Sequence, residues 1–227
     1  MLKVNDIFES ISGEAGGFPQ GTWATFIRLQ GCNLRCEWCD TPQAQSKNGS
    51  CGKMRIPRIL QMTGNGHVLI TGGEPLIQEK TVKLIKELLK HGNPVQVETN
   101  GSISIPSIPC FNQPSLHWVI DRKCPSSGMH EKMIPLDDFS RQIRQIRRDG
   151  GFVYLKWVVA NNEDTNFAIR EMQELANNDT TPPFIISPID ANGRVIPHIV
   201  EKIREENPAL QENIIFSVQL HKIFKLP

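Results

Sequence analysis

Short apolar runs alternate with amphipathic stripes along most of the chain. Residues 22–29 (TWATFIRL) are rich in β-branched and aromatic side chains and predict a buried strand. The same pattern predicts strands at residues 67–70, 94–97, 116–120, 152–160, 184–186 and 214–218. Leu76, Ile77, Val82, Leu84, Ile85, Leu88 and Leu89 recur instead with a helical period and stop at His91-Gly92. Further helices are predicted at residues 136–148, 164–176 and 196–206. Strands alternating with helices argue for a parallel sheet with right-handed crossovers. One link differs: Ser102-Ile103-Ser104-Ile105-Pro106-Ser107-Ile108-Pro109 is too proline-broken for a helix. The expected architecture is an α/β fold, a partial barrel in which a loop replaces one crossover helix. No linker, repeat or low-complexity tract interrupts it, so one domain over residues 1–227 is expected.

Composition narrows the partners. Lys and Arg number 25 and Asp and Glu 24, so at a formal net charge of +1 no bulk field draws the chain to nucleic acid. Hydrophobic content of 39% with 22% charge excludes a disordered polyampholyte. No apolar run reaches the roughly 20 residues of a membrane span, and Met1-Leu2-Lys3-Val4-Asn5-Asp6 lacks the apolar stretch of a signal peptide.

Six cysteines stand at 32, 36, 39, 51, 110 and 124. Three crowd into Cys32-Asn33-Leu34-Arg35-Cys36-Glu37-Trp38-Cys39, and a chain of this length needs no disulfide staples. Three thiolates on one loop are one ligand short of a closed zinc or iron–sulfur site, and an open position is what a reactive centre requires. The C-x3-C-x2-C spacing, with the aromatic Trp38 before the last cysteine, resembles the signature of the radical S-adenosylmethionine (SAM) superfamily. That resemblance implies a [4Fe–4S] cluster on Cys32, Cys36 and Cys39 with SAM on the fourth iron. A zinc loop completed by a distant ligand is the competing reading. An oxygen-sensitive cradle points to a reducing compartment, the cytoplasm. Cys51, Cys110 and Cys124 are isolated and read as buried or incidental, an auxiliary cluster on them being the weaker reading.

Ligands in parallel α/β folds gather at the carboxyl ends of the strands, and the suggestive residues follow the predicted strands one after another. The cysteine loop, residues 30–42, follows the first strand, Thr71-Gly72-Gly73-Glu74-Pro75 the second and Glu98-Thr99-Asn100-Gly101 the third. Asp121-Arg122-Lys123-Cys124, Ser187-Pro188 and Gln219-Leu220-His221-Lys222 follow later ones. Turn chemistry explains each cluster singly; one shared mouth explains them together. Paired glycines let backbone approach a ligand with no Cβ in the way, and the Glu74 carboxylate beside them suits an ammonium group. Glu98 is either an acceptor for ribose hydroxyls or a solvated strand-end carboxylate. Lys123 either pairs with a ligand carboxylate or is solvated. Arg28 stands inside an apolar strand, where its guanidinium must be paired with a structural carboxylate or with substrate. By chemistry alone Asp40-Thr41 reads as a helix N-cap.

Along its whole length the chain resembles the 7-carboxy-7-deazaguanine synthase (QueE) family. Ile7-Phe8-Glu9-Ser10-Ile11-Ser12-Gly13-Glu14 is similar to that family's substrate-binding loop, and Phe26-Ile27-Arg28-Leu29-Gln30-Gly31-Cys32-Asn33 to its strand-plus-cluster segment. Cys36-Glu37-Trp38-Cys39-Asp40-Thr41, Ile70-Thr71-Gly72-Gly73-Glu74-Pro75, Glu98-Thr99-Asn100-Gly101 and Gln219-Leu220-His221-Lys222 extend the match. The resemblance implies a modified (β/α)6 radical SAM barrel with one or more crossover helices replaced by loops. It implies that Trp38, Cys39, Asp40, Gly73, Glu74, Glu98, Asp121, Arg122, Lys123, Ser187, Pro188, Ile189 and Asp190 lie against SAM. Ile11, Ser12, Gly13, Glu14, Arg28, Thr71 and His221 would contact substrate, and Thr41 would ligate Mg2+. The implied reaction is that of a radical SAM carbon–nitrogen lyase of 7-deazapurine (queuosine-type) biosynthesis. It converts 6-carboxy-5,6,7,8-tetrahydropterin into 7-carboxy-7-deazaguanine with loss of ammonia. A homodimer and an electron donor such as flavodoxin are implied with it.

The chain departs from that family at three places. Ser12 and Leu220 stand where members commonly have Gln and Thr, and Asp121-Arg122-Lys123 where many read Ser-Pro-Lys. The first two bear on substrate identity and the third on the SAM side. Rival readings are a glycyl-radical activating enzyme, which needs a groove for a protein partner, and a zinc-binding interaction module. Arg141, Arg144, Arg147 and Arg148 fall on or near one helical face, read as solvated or as a dock for an acidic electron donor.

Overall fold

The computed structural model describes residues 1–176, 181–190 and 193–226. Its strands form one sheet. β1 (Leu2–Ile11) pairs antiparallel with β2 (Trp23–Leu29) and, along its first residues, with the short β3 (Gly52–Met54). From β2 onward every pairing is parallel, through β4 (His67–Gly72), β5 (Val95–Thr99), β6 (Leu116–Arg122), β7 (Phe152–Val159), β8 (Phe184–Pro188) and β9 (Ile214–Phe216). The order ends at β3 and β9, so the described sheet does not close into a ring. This is the expected partial α/β barrel. Helices α1 (Ile56–Thr63), α2 (Lys80–Lys90), α3 (Leu136–Arg148), α4 (Asn162–Ala176) and α5 (Ile196–Glu206) contribute to the core outside it, and α6 (Leu220–Phe224) follows β9.

Several boundaries differ from the expectation in one direction. β4, β5, β6 and β8 each run two residues further, so Thr71, Glu98 and Asp121 stand on strands rather than on loops. The apolar stripe at 76–89 divides into a 3-10 turn, Pro75–Ile77, and α2. Residues 7–11, expected in a substrate-binding loop, belong to β1, which is held along almost all of β2. Between β5 and β6 there is no helix, and Ile105 and Ile108 of that link are buried in the core.

Strand parity sorts side chains into two compartments. Ile27, Ile70, Val97, Ile120 and Trp157 face the helices inside one continuous apolar core, where each fully buried aliphatic side chain contributes about 1.5–3 kcal/mol. Their neighbours Arg28, Thr71, Glu98, Asp121 and Lys156 face the barrel interior. The helix side therefore carries the fold, and the interior is left free to hold charge.

The amino end of the barrel is stoppered. Phe18 is buried between His67 and His117, with ring centroids at 4.6 and 5.7 Å. Its N–H donates to the Gln96 side-chain oxygen at 3.0 Å. Glycine is required beside it, since a Cβ on Gly17 would stand 2.1 Å from the His117 ring. Burial, with His67 nearby, pushes the His117 pKa down to about 4, so that imidazole is neutral at pH 7.

The open side is laced by two distant segments. Leu220 N–H donates to the Gly13 carbonyl (2.8 Å) and Ala15 N–H to Ser217 Oγ (2.8 Å). The Gln20 side chain donates to the Gly13 and Val218 carbonyls.

Candidate active site

The interior encloses a cavity of about 620 Å³, within the size range usual for small-molecule sites. Cys32, Cys36 and Cys39 line it with Trp38, Asp40 and Thr41. Their loop is closed at its base, where the N–H groups of Gly31 and Cys32 donate to the carbonyls of Ala44 (2.7 Å) and Gln45 (2.9 Å). The buried Gln30 side chain braces that base by donating to the Gln43 and Ser46 carbonyls. Cys32 Sγ accepts from Leu34 N–H (3.4 Å) and from the Asn100 amide (3.7 Å). The Trp38 indole donates to Ser126 Oγ at 3.1 Å, and Ser126 donates to Asp164 of α4 at 2.6 Å. The Lys123 ammonium stands 5.4 Å over the Trp38 ring, within cation–π reach.

Gly72 and Gly73 pass directly against the start of this loop. A Cβ on Gly73 would stand 2.3 Å from the Gly31 carbonyl oxygen, and one on Gly72 2.1 Å from that of Leu29. Only glycine allows the approach. Glu74 is turned away from the cavity and fully buried. Its Oε1 accepts from Leu76 N–H and the Thr99 hydroxyl at 2.9 Å each, and its Oε2 from Asn100 N–H at 2.7 Å. Burial pushes its pKa up despite these bonds. Glu74 is thus a clamp between the ends of β4 and β5, and the backbone of Gly72 and Gly73 is what faces the cavity.

A line of buried charges crosses the cavity. Lys156 pairs with Glu14 Oε2 at 2.5 Å and with Asp121 Oδ1 at 3.3 Å, and Asp121 Oδ2 pairs with Lys123 at 2.6 Å. The Gln219 amide donates to Glu14 Oε1 at 2.7 Å. Burial alone would raise the Glu14 carboxyl, but Lys156 and Gln219 outweigh it and hold its pKa below the usual value. Burial likewise opposes the charged forms of Asp121, Lys123 and Lys156, and their mutual pairing prevails in each. Glu98 has no such partner. It accepts from the Thr71 hydroxyl (3.1 Å) and the Gln96 amide (3.3 Å), and burial, with Glu14 and Asp121 nearby, pushes its pKa up to about 7. Burial lowers the His221 pKa and favours a neutral imidazole.

The structure brings most of the expected residues to this cavity. Ile11, Gly13, Glu14, Arg28, Thr71 and His221 line it, as do Trp38, Asp40, Gly73, Glu98, Asp121, Lys123 and Ile189. Ile11, Gly13 and Glu14 reach it from the opposite end to the cysteine loop, because β1 is antiparallel and Ile11 pairs with Trp23 at the start of β2. The shared mouth expected at the carboxyl ends is therefore completed from below. No ion pair reaches Arg28 among the described residues. Its guanidinium lies 4.9 Å over the Phe8 ring, and its Nε is buried without a partner.

Others stand elsewhere. Ser12 is buried, with its hydroxyl donating to the Glu14 carbonyl at 3.1 Å. Arg122 follows Asp121 on the strand, so parity turns it to the helices, where it pairs with Glu171 and donates to the Ile134 carbonyl at 2.7 Å. Ser187 is fully buried with an unpartnered hydroxyl, Pro188 ends β8, and Asp190 pairs with Arg194 at 3.3 Å. Thr41 does not cap: it precedes the 3-10 turn Pro42–Ala44 without a side-chain capping bond, and its hydroxyl donates to Asp40 at 3.3 Å. Arg141 pairs with Asp138, while Arg147 and Arg148 occupy the last turn of α3, which leads into the amino end of β7. That end lies away from the cysteine loop.

Sequence reasoning missed Lys156. It interrupts the apolar strand FVYLKWVV as Arg28 interrupts β2, so the same signal could have found it. The contact of Asn100 with the Cys32 sulfur left no signal.

The residues present fit a cluster with a small polar cofactor and substrate. Three thiols face one cavity, a glycine cradle abuts them, and the Arg28 Nε and Gln219 Oε1 are orphaned in residues of its wall. Among the described residues no three Cys, His, Asp or Glu side chains close on one ion position, as a zinc loop completed by such ligands requires; a cube takes one thiolate per iron. Cys110 and Cys124 contact different carbonyls, those of Asp149 (3.3 Å) and Asp164 (4.0 Å), and build no auxiliary site. No described helix is long and apolar enough to cross a membrane.

Comparison with known proteins agrees with this geometry. Residues 26–106 match the family model of the radical SAM superfamily. The chain is 32% identical to 7-carboxy-7-deazaguanine synthase of Methanospirillum hungatei, over 100% of this chain and 86% of that protein. It is 33% identical to the enzyme of that name from Clostridium acetobutylicum, over 99% and 96%. The crystal structure of QueE from Escherichia coli shares the fold, with a TM-score of 0.67 at 23% identity over 96% of this chain and 93% of that one.

Proposed function

Since the chain belongs to the 7-carboxy-7-deazaguanine synthase family of radical SAM enzymes, we propose that it converts 6-carboxy-5,6,7,8-tetrahydropterin into 7-carboxy-7-deazaguanine with loss of ammonia. The observation that carries this reading is one cavity with a three-cysteine loop at its mouth and buried charges of both signs within. A [4Fe–4S] cluster and SAM, when bound, supply reductive cleavage to a carbon radical that takes hydrogen from the substrate.

The chain's own residues bind, orient and exclude water. Cys32, Cys36 and Cys39 hold the cluster. The Gly72–Gly73 backbone, Trp38 to Asp40, Glu98, the Asp121–Lys123 pair and Ile189 orient SAM. Arg28 offers its unpartnered Nε to the substrate carboxylate, and the remaining lone pairs of Glu14 accept from the N–H edge of an aminopyrimidinone. Thr71 and neutral His221 complete the wall, and Thr41 with Asp40 gives hard oxygens for Mg2+. The stopper at Phe18 keeps water from entering below. The whole chain works as one domain, as a homodimer in the cytoplasm, reduced by a donor such as flavodoxin.

The test is anaerobic reconstitution with iron and sulfide, then incubation with SAM, dithionite, the carboxytetrahydropterin and Mg2+. Formation of the deazaguanine supports the reading. Cleavage of SAM to 5′-deoxyadenosine with no deazaguanine retains the radical chemistry and refutes the substrate.

A further inference from the structure

Lys156 has no part in the chemistry above, yet its buried ammonium joins two carboxylates with different tasks. Glu14 reaches it at 2.5 Å from the loop after β1, and Asp121 at 3.3 Å from β6. Glu14 is assigned to the substrate side and is also held by Gln219. Asp121 is assigned to the SAM side, where it carries Lys123 at 2.6 Å beneath Trp38. Gln219, Glu14, Lys156, Asp121 and Lys123 thus form one unbroken line from the carboxyl-terminal segment to the cysteine loop.

The centre of that line decides its charge state. Lys156 faces Glu14 from the first loop, Glu98 from β5, Asp121 from β6, Lys123 beyond it and His221 from α6. Without its ammonium, Glu14, Glu98 and Asp121 are three buried carboxylates, of which only Asp121 keeps an ion pair, with Lys123, among the described residues. Carboxylates so placed take up protons or move apart. A protonated Glu14 no longer presents acceptors alone, and a protonated Asp121 no longer fixes Lys123.

We propose that Lys156 is a positioning residue for both bound molecules, fixing Glu14 toward substrate and the Asp121–Lys123 pair toward SAM. The substrate arm rests on the functional reading above; the SAM arm needs only the radical SAM family.

The experiment measures SAM affinity by equilibrium dialysis on reconstituted full-length wild type, Lys156→Met and Lys156→Arg, from about pH 6.5 to 9. Lys156→Met weakens SAM about tenfold or more at pH 7, whereas Lys156→Arg, which keeps the charge, stays within about threefold of wild type. The pterin KM rises in parallel, with kcat changed less. Should Lys156→Met not hold its fold, the double variant E14Q/K156M, which removes one charge of each sign, carries the same SAM measurement. SAM affinity within about threefold of wild type at every pH overturns the proposal, whatever the pterin does. A wild type that turns over no pterin, beside a Lys156→Met variant that loses SAM and a Lys156→Arg variant that keeps it, sinks the substrate reading and leaves the role of Lys156 standing.

Discussion

Replacing Glu74 separates a clamp from a cofactor ligand. In the resemblance to radical SAM proteins this carboxylate lies against SAM, but here it is buried behind the glycines with three donors upon it. Glu74→Ala strands the N–H groups of Leu76 and Asn100, while the Thr99 hydroxyl can turn elsewhere. Each buried donor left unsatisfied costs about 1–3 kcal/mol, and removing a carboxylate whose burial is unfavourable returns part of that, leaving a net loss of about 2–5 kcal/mol. For a chain of this size that lowers Tm by about 5–15 °C. Glu74→Gln keeps the shape and one acceptor oxygen but sets an NH2 against one N–H, for about 1–3 kcal/mol or roughly 3–8 °C. Since the side chain does not face the cavity, Glu74→Gln should bind SAM within about tenfold of wild type after reconstitution. Differential scanning calorimetry and equilibrium dialysis on the same preparation decide it. A Glu74→Gln protein that melts with wild type yet loses SAM binding a hundredfold or more (about 2.7 kcal/mol) would refute the clamp.

Glu98 makes the pH dependence testable. Its folded pKa of about 7 lies above the ordinary carboxyl value of 4.5, so the folded chain keeps the proton longer, and stability falls as pH rises through that window. The difference corresponds to roughly 3 kcal/mol, so Glu98→Gln should match wild-type Tm near pH 4.5 and exceed it increasingly up to pH 7; a pH-independent difference argues against it. Gly73→Ala drives a Cβ to 2.3 Å from the Gly31 carbonyl and should lose most of its iron after reconstitution, whereas Gly66→Ala, which meets nothing within 4 Å, should load normally. Equal iron content in the two would contradict the close approach. Gly13→Ala pushes on His221 Nδ1 at 2.7 Å; it should lower kcat/KM for the pterin by about 10–100-fold with SAM affinity unchanged, and a parallel loss of SAM would count against the separation of the two sides.

Much of this architecture is legible in the chain because local signals agree with the global fold. α3 and α5 occupy the residues their periodicity predicts, and the proline-broken link after β5 carries no helix. The strand ends were harder to read. Thr71, Glu98 and Asp121 are polar and resemble turn residues, yet they remain in the ladder because their side chains face a polar cavity instead of a dry core. β1 escaped for a related reason: Asn5, Asp6 and Glu9 dilute its pattern, and its stability comes from pairing with β2. Arg122 shows what strand parity decides about a side chain. A residue beside an inward-facing Asp121 must point outward, and it does. The clamp formed by Glu74 had no local signal, since it depends on Asn100, 26 residues away.

The lacing of residues 12–20 to residues 217–221 sets an order of assembly. The cysteine loop, the glycine cradle and the Asp121–Lys123 pair are all contained in residues 29–124, and contacts over that range can form while the rest of the chain is still being made. The substrate wall cannot. Glu14 gains its partners only when Lys156 and then Gln219 have arrived, the latter 205 residues further along. A chain interrupted before Gln219 would therefore keep the cysteine loop and the glycine cradle while Glu14 lacked one of its two partners. The bond from Gln219 to Glu14 thus ties the latest segment of the substrate wall to the earliest.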